Sequence, residues 1–381
     1  MTALHDVVPG PVAERRGRAD FNARAALVVF VAVAAGALVV ERVLGRFRWF
    51  FRDEWEFLAN RDLGDVSDLL RPHNEHWSTA PIVVFRGLWW LVGLRSYLPY
   101  QLTILVLHLT AAALLRVVMR RAGAGPWAST AAASLFALFG AGLANIVWAF
   151  QIGFVGSLVL GLIHLLLADH DGQFDRRDWF GLAAGLLGLM CSGVGVTMAL
   201  AVGVAVLIRR GWRVAAVHTV PLAVVYVAWW LAFARSAYRR SVASIGEVLR
   251  FVWTGLRETF EAIGQFPVVG IALAVMLAVG LFLAWRGLDR ITRRRRAAAP
   301  AALIVAAVAF LLATAVGRAA DFGPEAAGSS RYVGIVAALL LPALAVAADA
   351  VARRWRLLAP VAIALLVVGI PGNIEAFVEH R

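Results

Sequence analysis

The sequence contains no lysine, so all 37 of its basic residues are arginine. It contains one cysteine, Cys191, which excludes an intrachain disulfide and a cysteine-ligated metal site. Charged residues make up only 16% of the chain, well below the roughly 25% that is usual in soluble domains. Hydrophobic residues make up 61% and come in one uncharged stretch after another. This composition argues against a soluble domain and for a membrane protein.

The net charge of +13 has two explanations. A strongly basic chain can bind nucleic acid. In a membrane protein, arginines instead accumulate in the cytoplasmic loops and set the topology. The apolar stretches favour the second explanation, so we expect membrane lipids as partners and no nucleic acid.

The apolar stretches are close to the length of membrane-crossing helices. A bilayer core about 30 Å thick is crossed by ~20 apolar residues in a helix. The sequence therefore predicts an all-α polytopic bundle of about 11 transmembrane spans. These spans are expected at 25–44, 101–118, 127–148, 152–168, 179–191, 196–208, 214–233, 267–285, 301–317, 332–350 and 357–370.

Arginine placement predicts the orientation. Residues 1–24 are polar and Arg-rich, so we expect a cytoplasmic tail followed by a retained helix and not a cleaved signal peptide. Residues 25–381 then form one domain that crosses the plasma membrane several times, with the C-terminus outside. The arginine clusters expected on the cytoplasmic side are Arg176/Arg177, Arg209/Arg210/Arg213, Arg293–Arg296 and Arg353/Arg354/Arg356.

Three outer segments are long enough to carry chemistry: 45–80, 235–266 and 318–331. The first is followed by residues 81–94, a stretch of 14 residues interrupted by Arg86. We predict an interfacial helix there, with a full span as the alternative. Segment 235–266 has apolar residues at helical spacing and predicts an amphipathic helix at the interface.

The first outer loop is acidic, with seven carboxylates between residues 45 and 80. Asp53 and Glu54 follow closely on the first helix, which would hold them at the membrane surface. A carboxylate in that position can act as a general base for an acceptor hydroxyl. The structural alternative is a set of solvated loop acids paired with neighbouring arginines.

The segment RPHNEHWSTAP (71–81) groups polar side chains directly before the predicted interfacial helix. Asn74, Glu75 and His76 are predicted to form the polar wall of a sugar or phosphate pocket. A zinc or manganese site using His73 and His76 is the alternative, although the spacing fixes no third ligand. Trp77 would stack on a sugar ring or serve as a headgroup anchor.

Arginines in the outer segments are the second feature that suggests a functional site, because positively charged residues are normally enriched in the cytoplasmic loops instead. Arg239, Arg240, Arg318 and Arg331 are suited to a lipid-linked phosphate through bidentate hydrogen bonds. The alternative is a snorkelling anchor to lipid headgroups. Single polar residues within spans are predicted to form helix–helix hydrogen bonds; they are His108, Asn145, Gln151, His164 and His218.

A first helix, an outer loop that opens with Asp53-Glu54, and a His/Pro-containing approach to an interfacial helix resemble the GT-C class of membrane glycosyltransferases. Protein O-mannosyltransferases and the aminoarabinose and arabinofuranosyl transferases belong to this class. The resemblance implies a polyprenyl-phosphate sugar donor and a first-loop acid as catalytic base. It also implies a late arginine that contacts the donor phosphate, and the pair Arg331-Tyr332 fits that arginine.

On this resemblance the expected activity is inverting glycosyl transfer to a hydroxyl of a glycan, lipid or protein at the outer face. Asp53 would be the base and Glu54 would support it. Arg331 and Tyr332 would hold the donor phosphate, with Arg239 or Arg240 in support. No cofactor is expected; a divalent metal is compatible with the site but not required, since lipid phosphate is a competent leaving group.

Two other classes of function remain open from the sequence. A transporter or flippase of lipid-linked saccharides would use the same arginines, but it needs polar groups and broken helices near the middle of the membrane. The break Ser192–Gly195 is the one feature that favours it. A non-catalytic membrane subunit would show no convergence of an acid and an arginine.

Overall fold

The computed structural model describes residues 11–235 and 241–379, with side chains described from Asp20 onward. This part of the chain is helical and contains no strand, which confirms the all-α polytopic bundle. Its first nine helices are α1 (Pro11–Leu44), α2 (Asp53–Ala59), α3 (Val66–Leu70), α4 (Thr79–Val92), α5 (Leu98–Arg121), α6 (Pro126–Ala137), α7 (Ala144–Val147), α8 (Ile152–Ala168) and α9 (Arg176–Leu189). The others are α10 (Val194–Arg210), α11 (Trp212–Trp229), α12 (Ile245–Gly264), α13 (Pro267–Trp285), α14 (Arg290–Phe322), α15 (Ser330–Arg354), α16 (Ala359–Val367) and α17 (Ile370–Glu379).

Within the described residues, eight helices are long and apolar enough to cross a membrane. The sequence predicted about 11 spans. The difference arises where predicted spans are short or broken: α9 and α10 have 14 and 17 residues. They form the hairpin of short helices that the break Ser192–Gly195 predicts. Helices α16 and α17 together make the last long apolar segment, Arg356–Val378.

The span expected at 127–148 is not one helix. Helix α6 ends at Ala137, a short 3₁₀ segment covers Gly140–Gly142, and the four-residue α7 follows. The break is built on glycine, because a Cβ on Gly140 would lie 1.8 Å from the carbonyl oxygen of Asn373. The Asn373 side chain accepts a hydrogen bond from the freed Ala141 N–H at 2.9 Å. The prediction of a single span at 127–148 is therefore wrong, because the close approach of α17 leaves no mark in the local sequence.

Helix α15 is the centre of the bundle, and 89% of the residues in its most apolar stretch are buried. It packs against α6, α13 and α14. From Val333 to Ala348 every residue is apolar, and a helix that is hydrophobic all round is expected in a core. Its first residues, Ser330 to Tyr332, are thereby fixed at one end of the bundle.

The arginine clusters gather at the opposite end, which we call the arginine end. Arg209, Arg210, Arg295 and Arg353 form ion pairs there with Asp169, Asp178, Asp171 and Asp349 respectively. Helices α10, α14 and α15 run between this end and the end that carries residues 45–78, which we call the loop end. This charge asymmetry is the feature from which the sequence predicted a cytoplasmic arginine end.

Helix α4 has 14 residues, about 21 Å of helix, and is too short for a bilayer core about 30 Å thick. Its length agrees with the interfacial helix predicted at 81–94. Helix α12 confirms the amphipathic helix predicted within 235–266. Ser244 and Glu247 form its capping box, and its buried face carries Phe251 and Ile263 while Trp253 stays exposed.

Candidate functional site

The first loop is held in a fixed shape by one buried arginine. The guanidinium of Arg61 donates to the backbone carbonyl oxygens of Asp68, Arg71 and Pro72 at 2.6, 2.8 and 3.0 Å. Arg61 is 4% exposed, so these bonds satisfy charge-bearing N–H groups that would otherwise be costly to bury. The loop therefore presents its acids from a defined framework.

Residues 73–76 form a tight turn at the loop end. The backbones of His73 and His76 exchange two hydrogen bonds of 3.0 and 2.9 Å. The two residues between them have positive φ, 44° at Asn74 and 74° at Glu75. Such two-residue turns favour glycine at the second central position, and a left-handed non-glycine residue costs roughly 1–2 kcal/mol. The turn thus places the side chains of Asn74 and Glu75 on a strained backbone.

Asp53 is the first residue of α2 and follows Arg52, which also has positive φ, 47°. Its carboxylate Oδ1 lies 3.7 Å from Nε2 of His73, and the side chain is 30% exposed. The close His73 ring lowers the pKa of Asp53, and the Asn74 amide and the Arg331 charge act in the same direction against the effect of burial. Asp53 is therefore ionised at neutral pH, and the positive charge of Arg331 is close enough to act on it.

Glu54 is fully buried and points into the protein. Its Oε1 accepts hydrogen bonds from the Tyr97 hydroxyl (2.6 Å) and the Phe150 N–H (3.1 Å), and its Oε2 accepts one from the Phe51 N–H (2.7 Å). Burial raises the pKa of Glu54 to about 7 in spite of these donors. The carboxyl joins the first loop to the start of α5 and to the segment before α8. Glu54 does not line the cavity described below.

The buried carboxyl makes stability depend on pH. The pKa of Glu54 is raised from 4.5 to about 7, so the folded protein binds more protons than the unfolded chain between these values. We expect the contribution of Glu54 to stability to be complete below about pH 4.5 and to fall by about 3 kcal/mol as the pH rises through 7. Thermal unfolding in detergent should show this slope in the wild type and in Glu56→Gln, an exposed neighbour. Glu54→Gln should flatten it; an unchanged slope would contradict the assignment.

A cavity of about 130 Å³ lies beside the turn, between α8, α10, α14 and the start of α15. Asn74, Glu75 and His76 line one wall, and Arg318 and Arg331 line the other. Nη2 of Arg318 lies 3.4 Å from Oε1 of Glu75. Nε of Arg331 is buried and has no hydrogen-bond partner within residues 11–235 and 241–379. Two guanidinium groups thus converge on one small space, with one still able to bind an anion.

His76 is held as a neutral hydrogen-bond donor. Its Nδ1 accepts a hydrogen bond from the Gly193 N–H at 3.3 Å, which leaves Nε2 as the protonated nitrogen of the neutral ring. Burial, together with the charges of Arg318 and Arg331, lowers the pKa of His76 to about 4. The contact also places the α9–α10 turn at the loop end. The break that favoured transport therefore borders the candidate site.

Five of the ten predicted site residues line the cavity: Asn74, Glu75, His76, Arg331 and Tyr332. Asp53 lies beside the turn that borders the cavity, and Glu54 points away from it. Tyr332 lines the cavity, and the Arg331 guanidinium lies 4.9 Å from the centre of its ring. Trp77 is buried away from the cavity, stacked on Trp229 at 5.2 Å, so its position does not support stacking on a sugar. Arg239 and Arg240 lie outside the described residues.

The sequence did not reveal how three further residues contribute to the candidate site. Arg318 was recognised as an outer arginine, yet only the structure pairs it with Glu75. His73 was considered as a metal ligand, whereas its ring packs between Phe57 and Phe150 and faces Asp53. Phe150, which also lines the cavity, gave no signal because it lies in the short apolar link between the spans predicted at 127–148 and 152–168.

Among the described residues, one group of three side chains has metal-ligand geometry: His170, Asp175 and Asp178 at the arginine end. Asp178 already accepts hydrogen bonds from Arg210 at 2.5 Å and His218 at 2.9 Å. A guanidinium thus supplies the positive charge that a metal would bring. This group lies at the arginine end, opposite the turn 73–76. We interpret it as a set of ion pairs and hydrogen bonds that connects neighbouring helices.

The strained turn leads to a stability prediction. Glu75→Gly should raise the stability of the protein, because glycine removes roughly 1–2 kcal/mol of left-handed strain. The lost ion pair with Arg318 is partly solvated and worth at most about 1 kcal/mol. Thermal unfolding of the purified protein measures the difference. The matched control is Glu56→Gly in α2, where the same change should destabilise the helix; a lower midpoint for Glu75→Gly would refute the strain argument.

Two solved structures resemble this fold. ArnT from Cupriavidus metallidurans in the apo state gives a TM-score of 0.50 at 17% identity, with 92% of this chain and 75% of that chain covered. The same protein bound to undecaprenyl phosphate gives a TM-score of 0.49 at 17% identity over the same shares of both chains. No protein-family model and no curated protein matches the sequence. The likeness to apo ArnT, an aminoarabinose transferase, shows that this chain has the GT-C fold.

Proposed function

We propose that this protein is a membrane glycosyltransferase that moves a sugar from a polyprenyl-phosphate donor to an acceptor hydroxyl. One observation carries the proposal: the ionised Asp53 lies 3.7 Å from His73, and the next residues of the same turn, Asn74 to His76, line a small cavity together with Arg318 and Arg331. A base and a phosphate clamp have to meet around one reacting centre, and the turn that contacts Asp53 also borders the two arginines, which supports this pairing. The GT-C fold shared with ArnT supports the same function.

In the proposed reaction the acceptor oxygen attacks the anomeric carbon as the bond from that carbon to the phosphate oxygen breaks. The electron pair leaves with the phosphate, and the hydroxyl proton passes to the carboxylate of Asp53. The configuration of the sugar is inverted. The low pKa of Asp53 makes it a weak base, which suffices because the hydroxyl becomes acidic as the new bond forms.

The arginines would contribute most in the transition state, because negative charge grows on the phosphate as it leaves. Arg331 offers a buried N–H that has no partner among the described residues. The surrounding wall contains Phe150, Phe154 and Phe310, so little water would weaken the interaction. His76 adds a neutral donor. No metal is required in this scheme.

The carrier lipid would lie in a groove that continues from the cavity. This groove has a volume of about 570 Å³ and is lined mostly by apolar side chains of α10, α11 and α14, including Val196, Val227 and Ala313, together with the charged Arg235. ArnT is a protein that has been solved with undecaprenyl phosphate bound. We propose the same class of carrier here, used at the outer face of the plasma membrane, with the arginine end in the cytoplasm.

The test is a transfer assay with the purified protein in liposomes. It is supplied with polyprenyl-phosphate sugars and with glycan, lipid or protein acceptors, and product is followed by mass spectrometry. Transfer with inversion is the expected result. Movement of the lipid-linked sugar across the bilayer without transfer would show a flippase instead, and neither activity would point to a non-catalytic subunit.

A further inference from the structure

We propose that Glu75 is a built-in competitor of the donor phosphate, and that its ion pair with Arg318 closes the cavity until an anionic phosphate displaces it. This inference rests on the proposed function, since it concerns how the donor enters the same site. It assigns Glu75 a specificity-determining role instead of the cavity-lining role predicted from the sequence.

The position of the pair is the first observation. Glu75 and His76 line both the cavity of about 130 Å³ and the groove of about 570 Å³. Arg318 and Arg331 line the cavity and not the groove. The Glu75–Arg318 pair, at 3.4 Å, thus bridges the turn 73–76 and α14 where the two spaces meet. The groove also carries Arg235, so a phosphate that arrives along it passes this arginine and the Glu75–Arg318 pair on its way to Arg331.

The charges make the pair and the ligand mutually exclusive. Glu75 and Arg318 side chains are 20% and 24% exposed, so their charges are only partly screened by solvent. A phosphate that binds Arg318 bidentately would bring its oxygens against the Glu75 carboxylate, and two anions in a poorly solvated space repel each other. The carboxylate must therefore move aside or become protonated when the phosphate binds. Neutral sugars lack the charge to cause this exchange.

The backbone at Glu75 is the second observation. Its φ of 74° is a conformation that glycine adopts freely and other residues adopt only with strain. Strain of this kind is commonly found at switches and ligand clamps. The strained backbone at Glu75 can relax when its carboxylate leaves Arg318. The free energy needed to release Arg318 to a ligand is thereby lowered.

The consequence is measurable as an affinity that increases when the competitor is removed. For a pair of this exposure we expect Glu75→Gln to bind a polyprenyl phosphate about threefold to tenfold more tightly than the wild type. Loss of Arg318 should act in the opposite direction, because Arg318→Gln removes the group for which both anions compete.

The experiment titrates the full-length protein in detergent with undecaprenyl phosphate and follows binding by native mass spectrometry, with undecaprenol as the uncharged probe. Glu75→Gln and Glu75→Gly should both bind the phosphate more tightly and undecaprenol no differently. Glu75→Gly also guards against misfolding, since it relieves the turn. Glu56→Gln removes one charge from the same loop outside the cavity and should bind like the wild type.

The outcomes separate this inference from the proposed function. If the wild type binds the phosphate but the Glu75 variants bind it equally or more weakly, the competitor role is refuted and the donor site stands. The same holds if Glu56→Gln gains as much affinity as Glu75→Gln, since the effect would then be one of total charge. If the wild type does not distinguish undecaprenyl phosphate from undecaprenol, the donor site itself is refuted, and the competitor role with it.

Discussion

Replacing Asp53 by asparagine is expected to lower the turnover number for sugar transfer by about 10²- to 10⁴-fold. Asparagine keeps the size of the side chain and its contacts with His73 and Asn74, but it cannot accept a proton. It also removes a negative charge close to Arg331. Binding of the donor phosphate should therefore be unchanged or stronger while the chemical step fails. Steady-state kinetics separate the two effects, because kcat falls and KM for the donor does not rise.

Two control variants sharpen the Asp53 experiment. Asp53→Glu retains a carboxylate and should recover part of the activity, which a purely structural role would not predict. Glu56→Gln, three residues further along α2 and exposed, should transfer at the wild-type rate. Undiminished transfer by Asp53→Asn, or an equal loss in Glu56→Gln, would remove Asp53 from the proposed mechanism.

Replacing Arg331 by glutamine is expected to reduce kcat by about 10²- to 10³-fold, as with the loss of one preorganised donor to a developing negative charge. Its Nε is buried without a partner in the described part of the chain, so the wild-type side chain has hydrogen-bonding capacity in reserve for a ligand. Arg331→Lys keeps the charge but loses the planar fork, so an intermediate rate is expected.

The pH profile supplies a second readout for Arg331. Its positive charge contributes to the lowered pKa of Asp53, so Arg331→Gln should move that pKa upward. The acid limb of the rate profile then shifts to higher pH in the variant, because Asp53 must be ionised to accept a proton. Arg95, exposed in the loop before α5, is the matched control. An equal loss in Arg95→Gln, or an unshifted acid limb, would contradict the role of Arg331.

The sequence predicted the class of fold well, because the bilayer imposes a simple rule on length and polarity. The limits of α8 and α13 agree closely with the apolar stretches 152–168 and 267–285. Helix α6 did not follow the rule, since its apolar stretch continues to residue 148 while the helix ends at Ala137. The termination depends on Asn373, which lies more than two hundred residues later in the chain.

The candidate site was likewise only partly predictable from the sequence. Asp53 and Arg331 could be proposed from the sequence, because a carboxylate and an arginine near the ends of apolar helices are unusual enough to stand out. The assignment of Asp53 as base and Glu54 as support came only from the resemblance to the GT-C class, since the two residues are adjacent and chemically alike. Their environments separate them: the backbone turn at Arg52 directs Asp53 towards His73 and Glu54 towards Tyr97.

By itself the sequence determined that the chain is a helical membrane bundle, and that its charges are distributed unevenly between the connecting segments. Both follow from local composition, which sets the free energy of placing each stretch in water or in lipid. Only the tertiary structure decided which polar side chains meet. The pairing of Glu75 with Arg318, and the separation of Trp77 from the cavity, depend on contacts between residues distant in the chain. Such contacts arise when helices pack, and no local pattern encodes them.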